Sequence, residues 1–467
     1  MTTISFLIFL SAFVLIGVSS MRHATGQRED YYLASSTVPP WLVGLSAMAT
    51  NNSGYMFIGV IGYTYATGLA AIWLMVGWIT GDFLASLYVH KRLRDATEIS
   101  SEASYGAVLS HWYSRSNALQ KLIGLISVVF LMAYASAQLV AGGKALHALF
   151  DWPLWAGAVM GSILVMVYCF AGGIRASIWT DAAQSFVMVA AMALLLVMGT
   201  QALGGFDAVV ADMSVIDGFL DLFPRDLVLP GLAGGVLFAL SWMFAGLSVI
   251  GQPHIMVRFM ALSDAGLMRR ARIWYYLWYT GFYALATGVG MLSRVYISDP
   301  GNFDAELALP TMAIEILPPL LVGLVLAGIF AATLSTADSL ILSSSAAITH
   351  DLLPQRVERP LLIKAATLGV TLFALAWALW NEQSVFSLVV LSWSGMASSF
   401  APLLLVLVMG GKPSQGLSIT MVIGGLLTAL LWRYKGLHEL VYEGMPGIMA
   451  GLLIYGVGRL LLKSRKN

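Results

Sequence analysis

Thirteen apolar stretches, each about twenty residues long and so able to cross a bilayer, follow one another along this 467-residue chain. They begin near residues 4, 40, 66, 119, 153, 176, 230, 270, 309, 361, 385, 416 and 444. No linker or hydrophilic block between them is long enough to form a separate soluble domain. Only 10% of the residues are charged and 59% are hydrophobic. A soluble surface uses about 25% charged residues, so this chain cannot cover itself for water. The fold class is therefore an all-α polytopic membrane protein with about 13 transmembrane helices, embedded in a lipid bilayer. Trp, Tyr and Gly, at 14, 18 and 46, suit interfacial aromatics and closely packed helices. A net charge of +1 gives no ground for a nucleic-acid partner, and no obligatory protein partner is evident. The single cysteine, Cys169, excludes a disulfide framework.

The first stretch, 4–21, has no Lys or Arg before its apolar core and no small-residue cleavage site, so it reads as a retained helix and not a leader. Loop charges then orient the chain. With the N-terminus outside, only Lys144, Arg225, Arg294, Arg433 and Lys435 of the 25 Lys and Arg fall on the outer side. The rest, Arg258, Arg356, Arg465 and Lys466 among them, fall inside. That bias, with an outer loop over 203–229 rich in Asp, predicts N-terminus out and C-terminus cytoplasmic, in the plasma (inner) membrane.

Polar residues within these stretches mark where function sits. "SAMATNNSGYMF" puts Asn51, Asn52, Ser53 and Gly54 in the middle of the second span. Irregular backbone at membrane depth is tolerated only where it is buried in protein or lines a cavity, so these four predict an unwound helix. Its freed carbonyls and half-helix ends suit a cation or an anionic solute group. Helix–helix packing by small polar residues is the competing reading. In "GIFAATLSTADSLILSSSAAITHD", Ala332, Ser335, Thr336 and Ser339 share one helical face. Asp338 beside them is a costly intramembrane acid, and such hard oxygens suit hard cations. Asp181, in "GGIRASIWTDAAQSF", is assigned to an ion path, and Asp82 on the third span to a structural role. A second break is expected at "GQPH" in the seventh span, where Pro253 removes a donor. The two broken spans stand five apart. An odd offset inverts the second block relative to the first, the architecture of many secondary transporters.

The stretches "GLSAMATNNSGY", "YASAQLVAGGKAL", "GGIRASIWTDAAQ", "GQPHIMVRFMA" and "STADSLILSSSAAITHDL" together resemble the sodium:solute symporter family, nearest its bacterial proline-carrying branch. The resemblance covers nearly the whole length. It implies a leucine-transporter-type inverted five-plus-five helix repeat within a single transmembrane domain spanning 1–467. The first repeat would be 40–202 and the second 230–410, with 4–21 an extra N-terminal helix and 416–462 two C-terminal ones. It also implies sodium as the coupling ion, held at a main site by the carbonyls of Ala49, Asn52 and Ala332 and the hydroxyls of Ser335 and Thr336. Some members hold a second sodium. The matching positions are Asp181, Ser335, Asp338 and Ser339, where two acids leave a second sodium and a titrating proton both open.

The solute site would be lined by Asn51, Ser53, Gly54, Tyr134, Gln138, Ala245, Val249, Pro253 and Trp393. Ala245 and Val249 stand where relatives carry Trp and Tyr, and Asn51 where they carry Asp, which puts proline itself in question. Trp242 and Phe244 are the nearest aromatics that could compensate. The function expected is a sodium-coupled symporter importing a small organic solute, such as an amino acid or other carboxylate, by alternating access. A proton-coupled carrier and a transporter-like sensor are the competing readings. No paired metal-ligand spacing supports an enzyme.

Overall fold

The computed structural model describes all residues except 24, 26, 114, 298–302, 354–356, 381–383 and 465–467. The inner-side charges expected at Arg356, Arg465 and Lys466 lie outside the described residues. Ten helical segments are both long and apolar enough to span. One of them, Leu154–Ala202, holds the fifth and sixth spans as a single unlooped element. With the broken second span and the Arg-rich eighth, the described helices account for about thirteen spans.

The first span is Thr2–Ser19. It is anchored against the ninth, with Ser5 Oγ donating to the Leu320 carbonyl at 2.9 Å and Phe6 packed edge-on to Phe330. The second enters as Pro40–Asn51, proline at its first turn needing no amide donor. It breaks at Asn52–Ser53 and resumes through a wide π-type turn into Ile61–Thr67. The third and fourth are Ile72–Ser100 and Asn117–Phe150, the latter capped by the Ser116 hydroxyl. The seventh runs Gly231–Leu247, narrows over Ser248–Gly251 and restarts at Pro253–Met260. The eighth is Met268–Tyr296.

The ninth span begins later than expected. A short helix, Ala308–Ile316, ends at Leu317, and the Pro318–Pro319 pair starts a separate helix, Pro319–Ala346. Two consecutive prolines deny amide donors and bias the preceding residue away from helix, so one apolar stretch becomes two elements. Pro360–Trp380, Val385–Val408, Gln415–Tyr434 and Gly444–Ser464 complete the set. Ser384 and Ser414 cap the eleventh and twelfth.

The fifth and sixth spans turn at Gly172 and Gly173. Gly173 has φ +55°, and a Cβ there would run into the Tyr31 carbonyl, so only glycine serves. Arg175 fixes this corner by donating to Asp30 Oδ1 at 2.6 Å and to the Ala34 carbonyl at 2.8 Å. Burial pushes the Asp30 carboxyl up, but hydrogen bonds from Arg175, the Thr25 amide and Ser35, with the Arg175 charge, outweigh it and hold it below its usual range. The ninth and eleventh spans are buried nearly all round, and the second packs against the sixth and eighth, so the two broken helices lie inside a wall of continuous ones.

Candidate ion and solute site

The break in the second span faces the ninth span directly. Ser335 Oγ lies 3.1 Å from the Ala49 carbonyl, to which it donates, and 3.1 Å from the carbonyl of Ala332. Thr336 Oγ1 donates to the neighbouring Thr50 carbonyl at 2.9 Å. Ala49, Ala332 and Ser335 therefore present three hard oxygens within one hydrogen-bond radius, with Thr336 a residue aside. Asn52 sits at the break itself, sealed from solvent, and its Nδ2 has no hydrogen-bond partner. A small hard cation needs such oxygens and little else.

The second cluster holds a side chain that the sequence reading had assigned to the inner loops. Arg258, on the second half of the seventh span, is 0% exposed. Its Nη2 donates to Ser177 Oγ at 2.6 Å, to Asp181 Oδ2 at 3.4 Å and to Ser339 Oγ, and stands 4.0 Å from Asp338 Oδ1. A guanidinium thus lies among Asp181, Asp338 and Ser339, three of the four residues matched to a second sodium. Asp181 Oδ2 also accepts from Ser46 Oγ at 2.6 Å, and Ser177 bridges to Asp338 Oδ1 at 2.9 Å. Two buried acids with one buried base form a network whose desolvation is offset only while every partner is present. Arg258, counted among the inner-side charges, lies in the last turn of Pro253–Met260, and its side chain is turned into the protein and not toward solvent.

Next to these clusters lies a third group of buried polar and aromatic side chains. Tyr134 Oη donates to Ser53 Oγ at 3.1 Å, and the Gly54 amide donates to Gln138 Oε1 at 2.9 Å. Gly54 has no room for a side chain, since a Cβ would strike the Thr333 methyl. Trp393 Nε1 donates to the Ala245 carbonyl at 3.1 Å, and Gln252 Nε2 to the Trp393 carbonyl at 2.9 Å. Pro253 and Val249 are buried at the same break. Asn51 donates to Tyr275 Oη at 2.6 Å.

His254 and Trp78, neither of them among the solute-lining residues expected, complete the group. The His254 ring stands edge-on to Tyr134 at 5.4 Å and to Trp393 at 6.3 Å. Neither of its nitrogens has a partner, nor do Gln138 Nε2 and Gln252 Oε1. Unpaired buried polar atoms are uncommon in a native interior, and these four are free to meet a polar solute. Trp242 does not fill the space left by Ala245. It stacks on Trp78 and edges Tyr63, while Trp78 itself reaches Trp393 at 5.4 Å.

Aromatic and polar layers flank this group on both sides. Tyr55, Trp78, Phe386 and Trp393 form a layer with ring centroids 5.3 to 5.9 Å apart, beyond which opens a cavity of about 360 Å³ edged by Tyr63, Trp242, Arg433 and Glu443. Toward the other face only about 20 Å³ remains beside Pro253, Val257, Arg258 and Asp351, room for roughly one water. There Glu102 bridges His111 at 2.8 Å and His350 at 2.7 Å.

Two broken helices crossing at a buried, oxygen-lined centre define an ion-coupled secondary transporter. The sodium:solute symporter family model matches residues 31–424, and the chain belongs to that family. It is 28% identical to the high-affinity proline transporter of Bacillus subtilis, covering 94% of each chain. It is also 28% identical to a sodium/proline symporter of Staphylococcus aureus, over 99% of this chain and 93% of the relative. Among solved structures, a Na+-coupled sialic acid symporter superposes with a TM-score of 0.81 at 18% identity, covering 97% of this chain and 96% of that one. A nucleobase-cation-symport-1 family transporter gives 0.60 at 12%, covering 93% and 95%. These likenesses establish the leucine-transporter type of fold. The protein is an integral membrane symporter that couples sodium to the uptake of a small organic solute.

Proposed function

We propose that this symporter imports an amino acid or similar small carboxylate across the plasma membrane by alternating access, with one sodium held between the second and ninth spans. The observation that carries the site is the convergence of the Ala49 and Ala332 carbonyls on Ser335 Oγ, each at 3.1 Å. The Asn52 carbonyl and the Thr336 hydroxyl supply the remaining ligands, the hydroxyl turning from the Thr50 carbonyl to the ion. Sodium there ties the two spans together, and it shifts the outward–inward equilibrium by the difference in its affinity for the two states. On this reading the Arg433 side is extracellular, the Glu102–His350 side cytoplasmic, and the inverted repeats are 40–202 and 230–410.

The solute would lie among Ser53, Gly54, Tyr134, Gln138, His254 and Trp393. Its carboxylate would meet the Gly54 amide, at the start of a half-helix where anions are favoured. The relatives' names supply proline as the first solute to try. Ala245 and Val249 leave more room beside Trp393 than an aromatic pair would, which supports an amino acid larger than proline. Arg258 among Asp181, Asp338 and Ser339 supports a single sodium, because the guanidinium already occupies the second set and offsets one of its two carboxylates.

The test is uptake into proteoliposomes of proline and a panel of larger amino acids, driven by an inward sodium gradient, with potassium and a proton gradient as controls. Sodium-driven accumulation with a Hill slope near one supports the reading. Accumulation driven by the proton gradient alone overturns the sodium site, and a slope near two overturns the single-ion assignment.

A further inference from the structure

A third buried acid lies outside both ion clusters. Asp82, on the third span, is 0% exposed. Its Oδ2 accepts from Tyr275 Oη at 2.7 Å, and that same hydroxyl accepts from Asn51 Nδ2 at 2.6 Å. Asp82 Oδ1 has no partner. The result is a directed relay, amide to phenol to carboxylate, which ends at the last helical residue before the break in the second span.

Nothing on the neighbouring elements neutralises this acid. Among the described residues Asp82 makes no ion pair. From the eighth span Tyr275, Tyr276 and Tyr279 face it. Arg272, on that span, donates instead to the Ser86 carbonyl one turn along. His90, two turns along on the third span, lies stacked on Phe259 of the seventh. By contrast, Asp181 and Asp338 share Arg258.

A hydrogen bond to Tyr275 alone would not call for a carboxylate, since a neutral amide oxygen accepts equally well. An intramembrane acid with no counter-ion is costly and marks function by default. Polarity transmitted along a chain of hydrogen bonds strengthens each member, so a carboxylate at one end holds the Asn51 amide nitrogen and makes its oxygen more negative. Asn51 lies between Ala49 and Asn52, two of the candidate sodium ligands.

We propose that Asp82 is a positioning residue for the sodium site. Acting through Tyr275, it fixes Asn51 at the break and supplies negative charge that raises the affinity for the coupling ion. This rests on the sodium-coupled reading above and adds to it a determinant on a different span.

The experiment is a sodium titration of the purified full-length protein, read by intrinsic tryptophan fluorescence with potassium holding ionic strength constant. Four proteins are compared: the native chain, Asp82→Asn, Tyr275→Phe and the double variant Asn51→Asp/Asp82→Asn. Asp82→Asn keeps the acceptor and removes only the charge. Tyr275→Phe keeps the ring packed on Phe259 and Tyr279 and removes only the relay. We expect the half-saturating sodium concentration to rise about tenfold in Asp82→Asn, the scale of one buried charge across a polar site, and to rise in the same direction in Tyr275→Phe. Moving the charge to the other end of the relay in the double variant should bring it back to within about threefold of the native value. A purely structural role predicts no such rescue. Single variants within about twofold of native, or a double variant no better than Asp82→Asn, would overturn the proposal. If Asp82→Asn does not fold, Tyr275→Phe decides alone. A native protein with no saturable sodium response would instead sink the sodium reading itself.

Discussion

The Arg258 guanidinium stands 3.4 Å from the Asp181 carboxylate, and both side chains are wholly sealed from solvent. Buried ion pairs add little when complete, but removing one member leaves an uncompensated charge, at a cost of about 3–5 kcal/mol. Arg258→Ala should therefore lower the melting temperature of the detergent-solubilised protein sharply. Adding Asp338→Asn should recover part of the loss, because one of the two stranded charges is gone. Equal melting temperatures for the single and double variants would show that the network does not act as a unit.

Ser335 and Thr336 make different bonds and should not be equivalent. Ser335 Oγ lies against both the Ala49 and the Ala332 carbonyls, whereas Thr336 bonds the adjacent Thr50 carbonyl. Loss of one oxygen ligand to a charged group costs about 1.5–3 kcal/mol, so Ser335→Ala should raise the sodium requirement by at least about tenfold. Thr336→Ala should raise it less. Sodium dependence of uptake, measured at saturating solute, gives both numbers.

Gly54 is required for space. Its absent Cβ would meet the Thr333 methyl and press on Gln138. Overpacking of this kind costs about 1–3 kcal/mol, and here it would also push the break in the second span away from the fourth and ninth spans. Gly54→Ala should nearly abolish uptake, while Gly54→Ala/Thr333→Ser, which deletes the obstructing methyl, should restore a measurable part.

The Asp30–Arg175 pair predicts a pH effect on stability. Arg175 and the Thr25 amide hold the Asp30 carboxyl below its usual range despite burial. A carboxyl with a lowered folded-state pKa stabilises fully above its unfolded value, near pH ~4, and loses that contribution as pH falls through the lowered one. Asp30→Asn should melt earlier than the native protein at neutral pH, and the gap should close on acidification below about pH 4. A gap constant with pH would mean that the variant disturbs packing and not charge.

Much of this architecture was legible because membrane spans announce themselves by length and apolarity. Asn51 to Gly54 marked the first break, because four polar or small residues in a row at that depth favour an unwound helix over packing glue, and helical spacing alone put Ala332, Ser335 and Thr336 on one face. The burial of Arg258 was not legible, because a charge five residues past Pro253 reads equally well as a helix end in water, and only the folded structure brings Asp181 and Asp338 to it. Trp78 carried no signal on its own span, its partner Trp393 being more than three hundred residues away. Asp82 was set aside as structural because the relay to Asn51 passes through Tyr275, on a helix whose pairing with the third span no periodicity could reveal.

The corner at Gly172–Gly173 joins the fifth and sixth spans as two arms of one lever. Asp181 is eight residues beyond the pivot, about 12 Å along the sixth arm. A swing of about 10° there carries its carboxylate about 2 Å, enough to part it from Ser46 and Arg258. Because no slack loop separates the arms, a tilt of the fifth span is felt at the Asp181 cluster in the same movement. Held by Arg175 on one side and Tyr31 on the other, this corner sets the angle at which the sixth span presents Asp181 to Ser46 and Arg258.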